Sequence, residues 1–514
     1  MRLVLTTLLM TAMIDQALGQ CAPQVLFTNY TALSSGTVPG VSPIVRFAAG
    51  SSPANAFQQI MVSPDGAYWA LRGAAGTSSG QIVMRGLRRS RAGAQLIVRR
   101  TVTPVLGTRT CDTLGEHVDV NNAGVVAFTG DLSGSLADDS FSATWNGNFT
   151  FVAREGQPVP GLLYGYGVVN NGPTLLSNGR VVHVSELLTG SANLGAIVSL
   201  ANTNTGDVLT LTGTSVPLGQ RVSPVQPLAA LTPIRVACSD DGTERLFGAT
   251  LAGPAATNAV IVHNDTVVAQ RGFAIAGSGL TSAYARLSAG IAPLQCAPTG
   301  GSCIGRVTLI DNVDAIVHVQ AGAVAGTLAH TGAAIIPGAS EFYADAQQAD
   351  TFLSAAVASS GDWVVVGATD EQDALRDTVL VYNGRTVLLR EGDPFDLNED
   401  GLLNDNAFVG GFGPEGLAIS DTGDVYVTVS VRGSAGNVTG AALLTLQTPR
   451  CSDIDFNNDG VFPSDDDIVD FLNVVAGADC PACDTIDFNN DCVFPSDDDI
   501  VAFFNVLAGG SCTP

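Results

Sequence analysis

The residues Asn121-Asn122-Ala123-Gly124-Val125-Val126-Ala127-Phe128 decide how the first 450 positions of this chain fold. A short polar turn ending in Gly runs directly into a β-branched and aromatic run. Asn and Gly supply the turn, Gly because it tolerates φ > 0, and the apolar run that follows pairs in a sheet. The pattern recurs at Ser63-Pro64-Asp65-Gly66, Ser177-Asn178-Gly179, Ser239-Asp240-Asp241-Gly242, Ser359-Ser360-Gly361 and Ser420-Asp421-Thr422-Gly423. A weaker copy is read at Gly305, before Arg306-Val307-Thr308-Leu309. The seven glycines lie 58, 55, 63, 63, 56 and 62 residues apart. A fixed period of this size is the mark of a repeat architecture.

A second unit falls between these glycines: a strand, a tight turn, another strand and a small-residue close. It is clearest at Trp145-Asn146-Gly147-Asn148-Phe149, at Val262-His263-Asn264-Asp265-Thr266 and at Val381-Tyr382-Asn383-Gly384-Arg385. Each repeat therefore holds about four short strands, which is one propeller blade. The unit at Gly423 lacks its closing strand, and the mature N-terminus has one to spare at Val25-Leu26-Phe27. These observations predict a mainly β fold, a seven-bladed β-propeller over residues 21–448 closed by its N-terminal strand. The same strands could otherwise build an irregular β-sandwich or two smaller β domains.

Asn121-x-x-Gly124-x-x-Ala127-Phe128 resembles the NxxGxxAF tandem-repeat proteins exported by planctomycete-type bacteria. The full signature fits this one repeat, and the other copies keep only Gly and the strand. The resemblance implies an exported repeat protein and no particular activity.

The formal net charge is −25, from 48 acids against 23 bases, and every base is Arg. With 46% hydrophobic residues the chain is too apolar to be a disordered acidic polymer. So negative a chain is a poor partner for nucleic acid or an anionic membrane surface. Residues 1–20 read as a signal peptide: Arg2, an apolar run from Leu3 to Ile14, then Ala17-Leu18-Gly19. Cys21 after that site admits a lipoprotein, although Gln20 fits one poorly. No later segment is long and apolar enough to be a transmembrane span. A secreted, extracellular or cell-surface location follows, and with it an oxidising compartment for the ten Cys. Cys296 and Cys303 are expected to pair across a short Gly-rich loop.

The acidity is concentrated. Residues 451–514 contain 14 Asp and no Lys, Arg or Glu. Two copies, offset by 32, share Ile-Asp-Phe-Asn-Asn-Asp and then Val-Phe-Pro-Ser-Asp-Asp-Asp-Ile-Val. In the first, Asp455, Asn457, Asp459 and Gly460 fit positions 1, 3, 5 and 6 of an EF-hand loop, and Val461 offers its carbonyl at position 7. Alternating oxygen side chains wrap one hard cation, and Gly makes the sharp turn. Either Asp466 or Asp467 closes the loop. Ile468, Phe471, Leu472 and Val475 then mark one face of a helix. The second copy offers Asp487, Asn489, Asp491, Val493 and Asp498 or Asp499, with Cys492 in place of Gly. Residues 449–514 are thus a small α-helical, tandem EF-hand calcium module that resembles type I dockerin repeats. The resemblance implies Ca2+ as cofactor and a cohesin-like or cell-surface protein as partner. The Phe-Pro-Ser insertion and the cysteines depart from cellulosomal dockerins. Within each copy, pairing of Cys451 with Cys480 and of Cys483 with Cys512 is expected. A further loop, Asp396-Leu397-Asn398-Glu399-Asp400-Gly401, repeats positions 1, 3, 5 and 6 with Ala407 at position 12.

Catalytic spacing is missing from the sequence. The five His, at 117, 183, 263, 318 and 330, form no HExxH or related ligand pattern, and no GxSxG elbow, P-loop or haem motif occurs. Glu155 and Glu391 sit in a repeated Arg-Glu-Gly turn and read as structural. Two functions remain. One is a non-enzymatic exported binding or surface protein, with a glycan or protein ligand on the propeller and a calcium-dependent tail. The other is a secreted, glycosidase-like carbohydrate-active enzyme carried by the same tail, which requires carboxylates converging at the propeller's centre.

Overall fold

The computed structural model describes residues 23–510, apart from 31, 40–45, 51, 78, 135–137, 170–171, 189–192, 203, 232–235, 288–293, 345–349, 450–453, 458–460, 462–463, 479, 481–482, 484–485 and 490–495. Two compact units are present: Val25–Thr445, and Leu446–Pro514 with Met1–Gln24.

Seven antiparallel sheets follow one another along the first unit, over residues 57–99, 104–154, 165–211, 228–270, 284–330, 352–390 and 408–447. Among the described residues the sheets of blades one and six have four successive strands, and those of blades two to five have five, their first position being filled by two short strands or a strand and its extension. The first unit is a seven-bladed β-propeller, as the turn spacing predicts. Its last blade has three strands of its own. The strand Gln24–Thr28 pairs with Val438–Gln447 to complete it.

The blades are structural repeats in detail. In blades one to six the pairing of third and fourth strands slips by one residue at an equivalent place, as at Val83/Met84, Ile261/Val262 and Leu380/Val381. The innermost strand of each blade is bulged or broken, as at Phe57/Gln59 and Phe352/Ser354. Such bulges bend and twist a strand.

Blades pack face to face, so alternate residues of one strand feed two different cores. Trp69 and Leu71 pack toward blade seven with Tyr426 and Leu443. Ala70 between them packs toward blade two with Val126 and Phe128. Ala127, one residue on, turns to the next cluster with Tyr166 and Val181. Both faces are buried, which explains why Val125 to Phe128 reads as a continuous apolar run.

The turn between first and second strands carries the repeat glycine at positive φ in six blades: 73° at Gly66, 69° at Gly124, 80° at Gly179, 75° at Gly242, 85° at Gly361 and 80° at Gly423. The fifth differs from the sequence reading. Gly305 lies inside the strand Ser302–Leu309, and the turn is made by Gly300 and Gly301, with φ of 83° and 71°. The turn joins Leu294–Cys296 to that strand, and the expected Cys296–Cys303 disulfide closes it.

The second unit holds two helices, Asp465–Val475 and Asp497–Leu507. Their core is aromatic: Phe456, Phe471, Phe488 and Phe503, with Phe471 and Phe503 stacked at 4.1 Å. Leu472, placed on the apolar face by periodicity, is exposed instead, as is its counterpart Phe504 in the second helix. The expected cysteine pairing is also overturned, because Cys480 bonds Cys483 across a tight loop with Cα atoms 5.3 Å apart. Cys21, Cys451, Cys492 and Cys512 lie outside the described residues, as does the 1–20 segment. Cys111 and Cys238 are buried thiols. No helix among the described residues is long and apolar enough to cross a membrane.

Candidate functional site

The seven polar turns meet at one end of the propeller and tie each blade to the next. Asp65 N donates to Asn122 Oδ1 at 3.1 Å, and Asn121 Nδ2 to the Leu176 carbonyl at 3.4 Å. Ser177 N donates to Asp240 O at 2.8 Å, and Asp240 N to Pro298 O at 2.6 Å. Thr299 N donates to Ser359 Oγ at 2.9 Å, and Ser359 N to Asp421 Oδ1 at 2.6 Å. Asp421 N returns to Pro64 O at 2.9 Å, and the circle closes. Asn121 also binds its own turn, accepting from Ala123 N and Val125 N through Oδ1. The polar positions of the repeat therefore cap their own turns and link blades at once.

Inside this ring the inner strands of blades one to five line a cavity of about 70 Å³, with Asp119, Asp240, Thr174, Cys238 and Cys296 in its wall. Asp119 is engaged, accepting from Val120 N at 2.9 Å and Leu175 N at 2.8 Å. Burial, reinforced by the charges of Asp119, Asp241, Asp421 and Asp65, pushes the Asp240 carboxyl up to about 6. Carboxylates do converge at the propeller's centre. The space between them suits a water molecule or two, since small-molecule sites run to about 300–1,000 Å³.

Glu155 and Glu391 occupy the same place in blades two and six. Glu155 N donates to Ser140 O and Glu391 N to Thr378 O, at 2.8 and 2.9 Å. Each side chain hydrogen-bonds an acid, Asp139 or Asp377, and both are shifted upward, Glu391 to about 7 through burial and then Asp377. Arg390 binds Glu341 at 2.6 Å rather than the neighbouring Glu391. A carboxyl raised above its unfolded value favours folding in its protonated form. That contribution is complete below about pH 4.5 and is lost as pH rises through about 7. Glu391→Gln is expected to stabilise the propeller at pH 8 by about 1–3 kcal/mol and to change it little at pH 4.5. Urea unfolding at the two pH values checks this, and an equal effect at both would refute it.

Three of the histidines, His183, His263 and His318, lie on blade strands. His318 Nε2 lies 2.7 Å from Ser302 Oγ, and His263 Nε2 lies 2.5 Å from Glu244. His183 is fully buried, and burial depresses it to about 4, so its ring is neutral.

In the tail, the two possible loop-closing acids are separated by their surroundings. Asp466 and Asp498 are exposed, whereas Asp467 and Asp499 are fully buried. Asp467 Oδ2 accepts from Ser464 N and Oγ at 3.0 and 2.8 Å, and Asp467 N returns to Ser464 Oγ at 3.1 Å. This capping box starts the helix. The other oxygen, Oδ1, faces the loop and accepts from Asn457 N at 3.4 Å. Asp499 repeats this with Ser496 and with Asn489 N at 3.5 Å. Asp487 and Asn489 are buried too. Asp470, which sequence reasoning passed over, accepts from Asn457 Nδ2 at 3.2 Å, and Ala502 replaces it in the second copy. Asp455 and Val461 belong to the described residues, while Asp459, Gly460, Asp491, Cys492 and Val493 lie outside them.

The loop at 396–405 wraps its first acid. Asp396 accepts from Glu399 N and Gly401 N, both at 2.6 Å, and Asn398 Oδ1 accepts from Asp400 N at 2.9 Å. Asp405, rather than Ala407, closes it by accepting from Leu397 N and Asn398 N at 2.8 and 3.0 Å. Glu399 pairs with Arg91. Among the described residues, no group of three or more His, Cys, Asp or Glu is arranged to hold a metal ion.

Residues 22–213 match a family of unknown function (DUF7453). The match spans the closing strand and the first three blades. A search of curated proteins finds no match. Among solved structures, Kuenenia stuttgartiensis hydrazine synthase is similar at 12% identity and a TM-score of 0.36, covering 80% of this chain and 99% of that one. Polysaccharide lyase Uly1 gives 12% and 0.37, with 84% and 98% covered. Trypanosoma rangeli sialidase gives 11% and 0.31, with 83% and 58% covered. At these identities and scores the likenesses carry no functional argument.

Proposed function

We propose that the chain is an exported, non-enzymatic binding protein whose propeller presents a ligand site and whose calcium-dependent tail attaches it to a cohesin-like or cell-surface protein. The supporting observation is the pair of fully buried carboxylates, Asp467 and Asp499, in a segment of 64 residues without one basic side chain. A buried carboxylate needs a compensating charge or donors. The donor set fits a hard cation: Asp455, Asn457, Asp459, the Val461 carbonyl and Asp467 in one loop, and Asp487, Asn489, Asp491, the Val493 carbonyl and Asp499 in the other. When bound, Ca2+ supplies the positive charge that lets these acids sit together.

The enzyme reading retains its carboxylates, Asp119 and Asp240, but the cavity they share is too small for a sugar ring. Calorimetry on the full-length protein tests the main reading. Calcium is expected to bind at two tail sites, and EGTA is expected to release the protein from a cell-envelope fraction. No calcium-dependent heat would remove the tail assignment.

A further inference from the structure

A solvent-open cleft, of about 430 Å³, lies between the outer strands of blade one and the outer turn of blade two. Its wall combines Arg85, Gln95, Leu96, Trp145 and Asn146. This volume falls in the range of small-molecule sites, about 300–1,000 Å³.

Arg85 is held in place before any ligand arrives. Its Nη1 donates to Gly124 O at 2.6 Å and its Nη2 to Gln95 Oε1 at 2.9 Å. The guanidinium lies 4.9 Å from the Trp145 ring centre and 5.5 Å from that of Tyr68. Among the described residues it has no carboxylate partner. A guanidinium carries five N–H groups, so three remain to be used. Arg85 is the one charged side chain of this wall, in a chain of net charge −25. Some arginines pair with a carboxylate, as Arg88 does with Asp424 and Arg390 with Glu341, and others, such as Arg100 and Arg271, are taken up by backbone carbonyls; Arg85 is set apart by the open cleft and the indole beside it. An unneutralised, pinned cation beside an indole is a receptor for an anion that also has an apolar face. Gln95 Nε2 and the Asn146 amide add uncharged groups that suit hydroxyls.

We infer that this cleft is a binding site for an acidic saccharide, with a pyranose ring against Trp145 and its carboxylate or sulfate on Arg85. The carboxylate or sulfate is the chemistry Arg recognises bidentately, and the C–H face of a sugar is what a tryptophan covers. The site rests on reading the propeller as a binding scaffold, and it is independent of the tail.

The test uses the full-length protein, tryptophan fluorescence and calorimetry, with three probes: tetragalacturonate, its methyl ester and tetraglutamate. Tetragalacturonate is expected to bind, with the ester and the peptide each at least tenfold weaker. Arg85→Gln and Trp145→Ala are each expected to weaken binding at least tenfold, and Trp145→Phe about threefold or less. Because Arg85 also ties two blades together, Asn146→Ala at the exposed turn serves as a variant that cannot unfold the blade, with a loss of about threefold. The inference is overturned by no binding of tetragalacturonate at millimolar concentration, by equal binding of the ester, or by indifference to Arg85→Gln and Trp145→Ala. Equal binding of tetraglutamate also overturns it, leaving a plain carboxylate site. Affinities measured in EDTA and in calcium are expected to agree, so a failure here leaves the tail reading standing.

Discussion

Asp467→Asn is expected to cost the first tail loop about a hundredfold or more in calcium affinity, and Asp466→Asn about twofold or less. The two residues are neighbours, and periodicity alone could not choose between them. Their environments differ: Asp466 faces solvent, while Asp467 is fully buried with one oxygen on Ser464 and the other on Asn457 N. A carboxylate in that position serves the helix cap and the loop together. Alanine there would remove the cap as well, at about 0.5–2 kcal/mol, and confuse the two roles. Asparagine keeps an acceptor for Ser464 and deletes the charge, so its effect reads the cation. A ligand at a hundred times its Kd stabilises by about 2.7 kcal/mol, and that calcium-dependent rise in the tail transition should vanish in Asp467→Asn. Asp499→Asn should act likewise on the second loop, from a weaker start because Cys492 replaces the turn glycine. A larger loss in Asp466→Asn than in Asp467→Asn would move the loop closure back one residue and refute this assignment.

The propeller was legible in the sequence because its turns obey strong local rules. Gly at positive φ, one or two residues behind Asn, Asp or Ser, marks six of seven first turns directly. The fifth was misplaced because Gly305 precedes a convincing strand. Gly301, 59 residues after Gly242 and 60 before Gly361, keeps the period better and lies within the disulfide loop. What the repeats did not reveal is where their polar residues go. Asn122, Ser359 and Asp421 look like turn formers, yet each accepts a hydrogen bond from a turn about 60 residues away. Local propensity explains the turn and is silent about the ring. The tail cysteines failed for a related reason: pairing was assigned by repeat symmetry, while Cys480 and Cys483 satisfy each other across three residues at the junction of the repeats. The Arg85 cleft was hidden because Arg85 and Trp145 stand 60 residues apart, in different blades.

Phe27→Ala is expected to destabilise the propeller by about 3–5 kcal/mol and to speed its unfolding more than Phe128→Ala does. Both rings are fully buried, so the lost transfer and cavity contributions are alike. Their places in the ring differ. Phe128 sits on the second strand of blade two, with sheet neighbours on both sides. Phe27 sits on the five-residue strand Gln24–Thr28, at the edge of its sheet with one neighbour, Val438–Gln447. What holds that strand is largely aromatic: Phe27 lies 5.2 Å from Phe47 and 5.5 Å from Trp69 of blade one. The remaining links between blades seven and one include Arg88 with Asp424 at 2.6 Å and Arg89 N with the Tyr426 hydroxyl at 2.9 Å. Asp424 is fully buried and Arg88 about half exposed, so their attraction is set against the desolvation of the carboxylate and does not replace a buried ring. A ring of blades that opens at one joint exposes two blade faces at once, and the joint closed by a terminal strand is the easiest to open. Stopped-flow unfolding in guanidinium on the two variants decides the matter. Equal acceleration would mean that the propeller unfolds elsewhere first, and Leu163→Ala, fully exposed, should leave the rate unchanged.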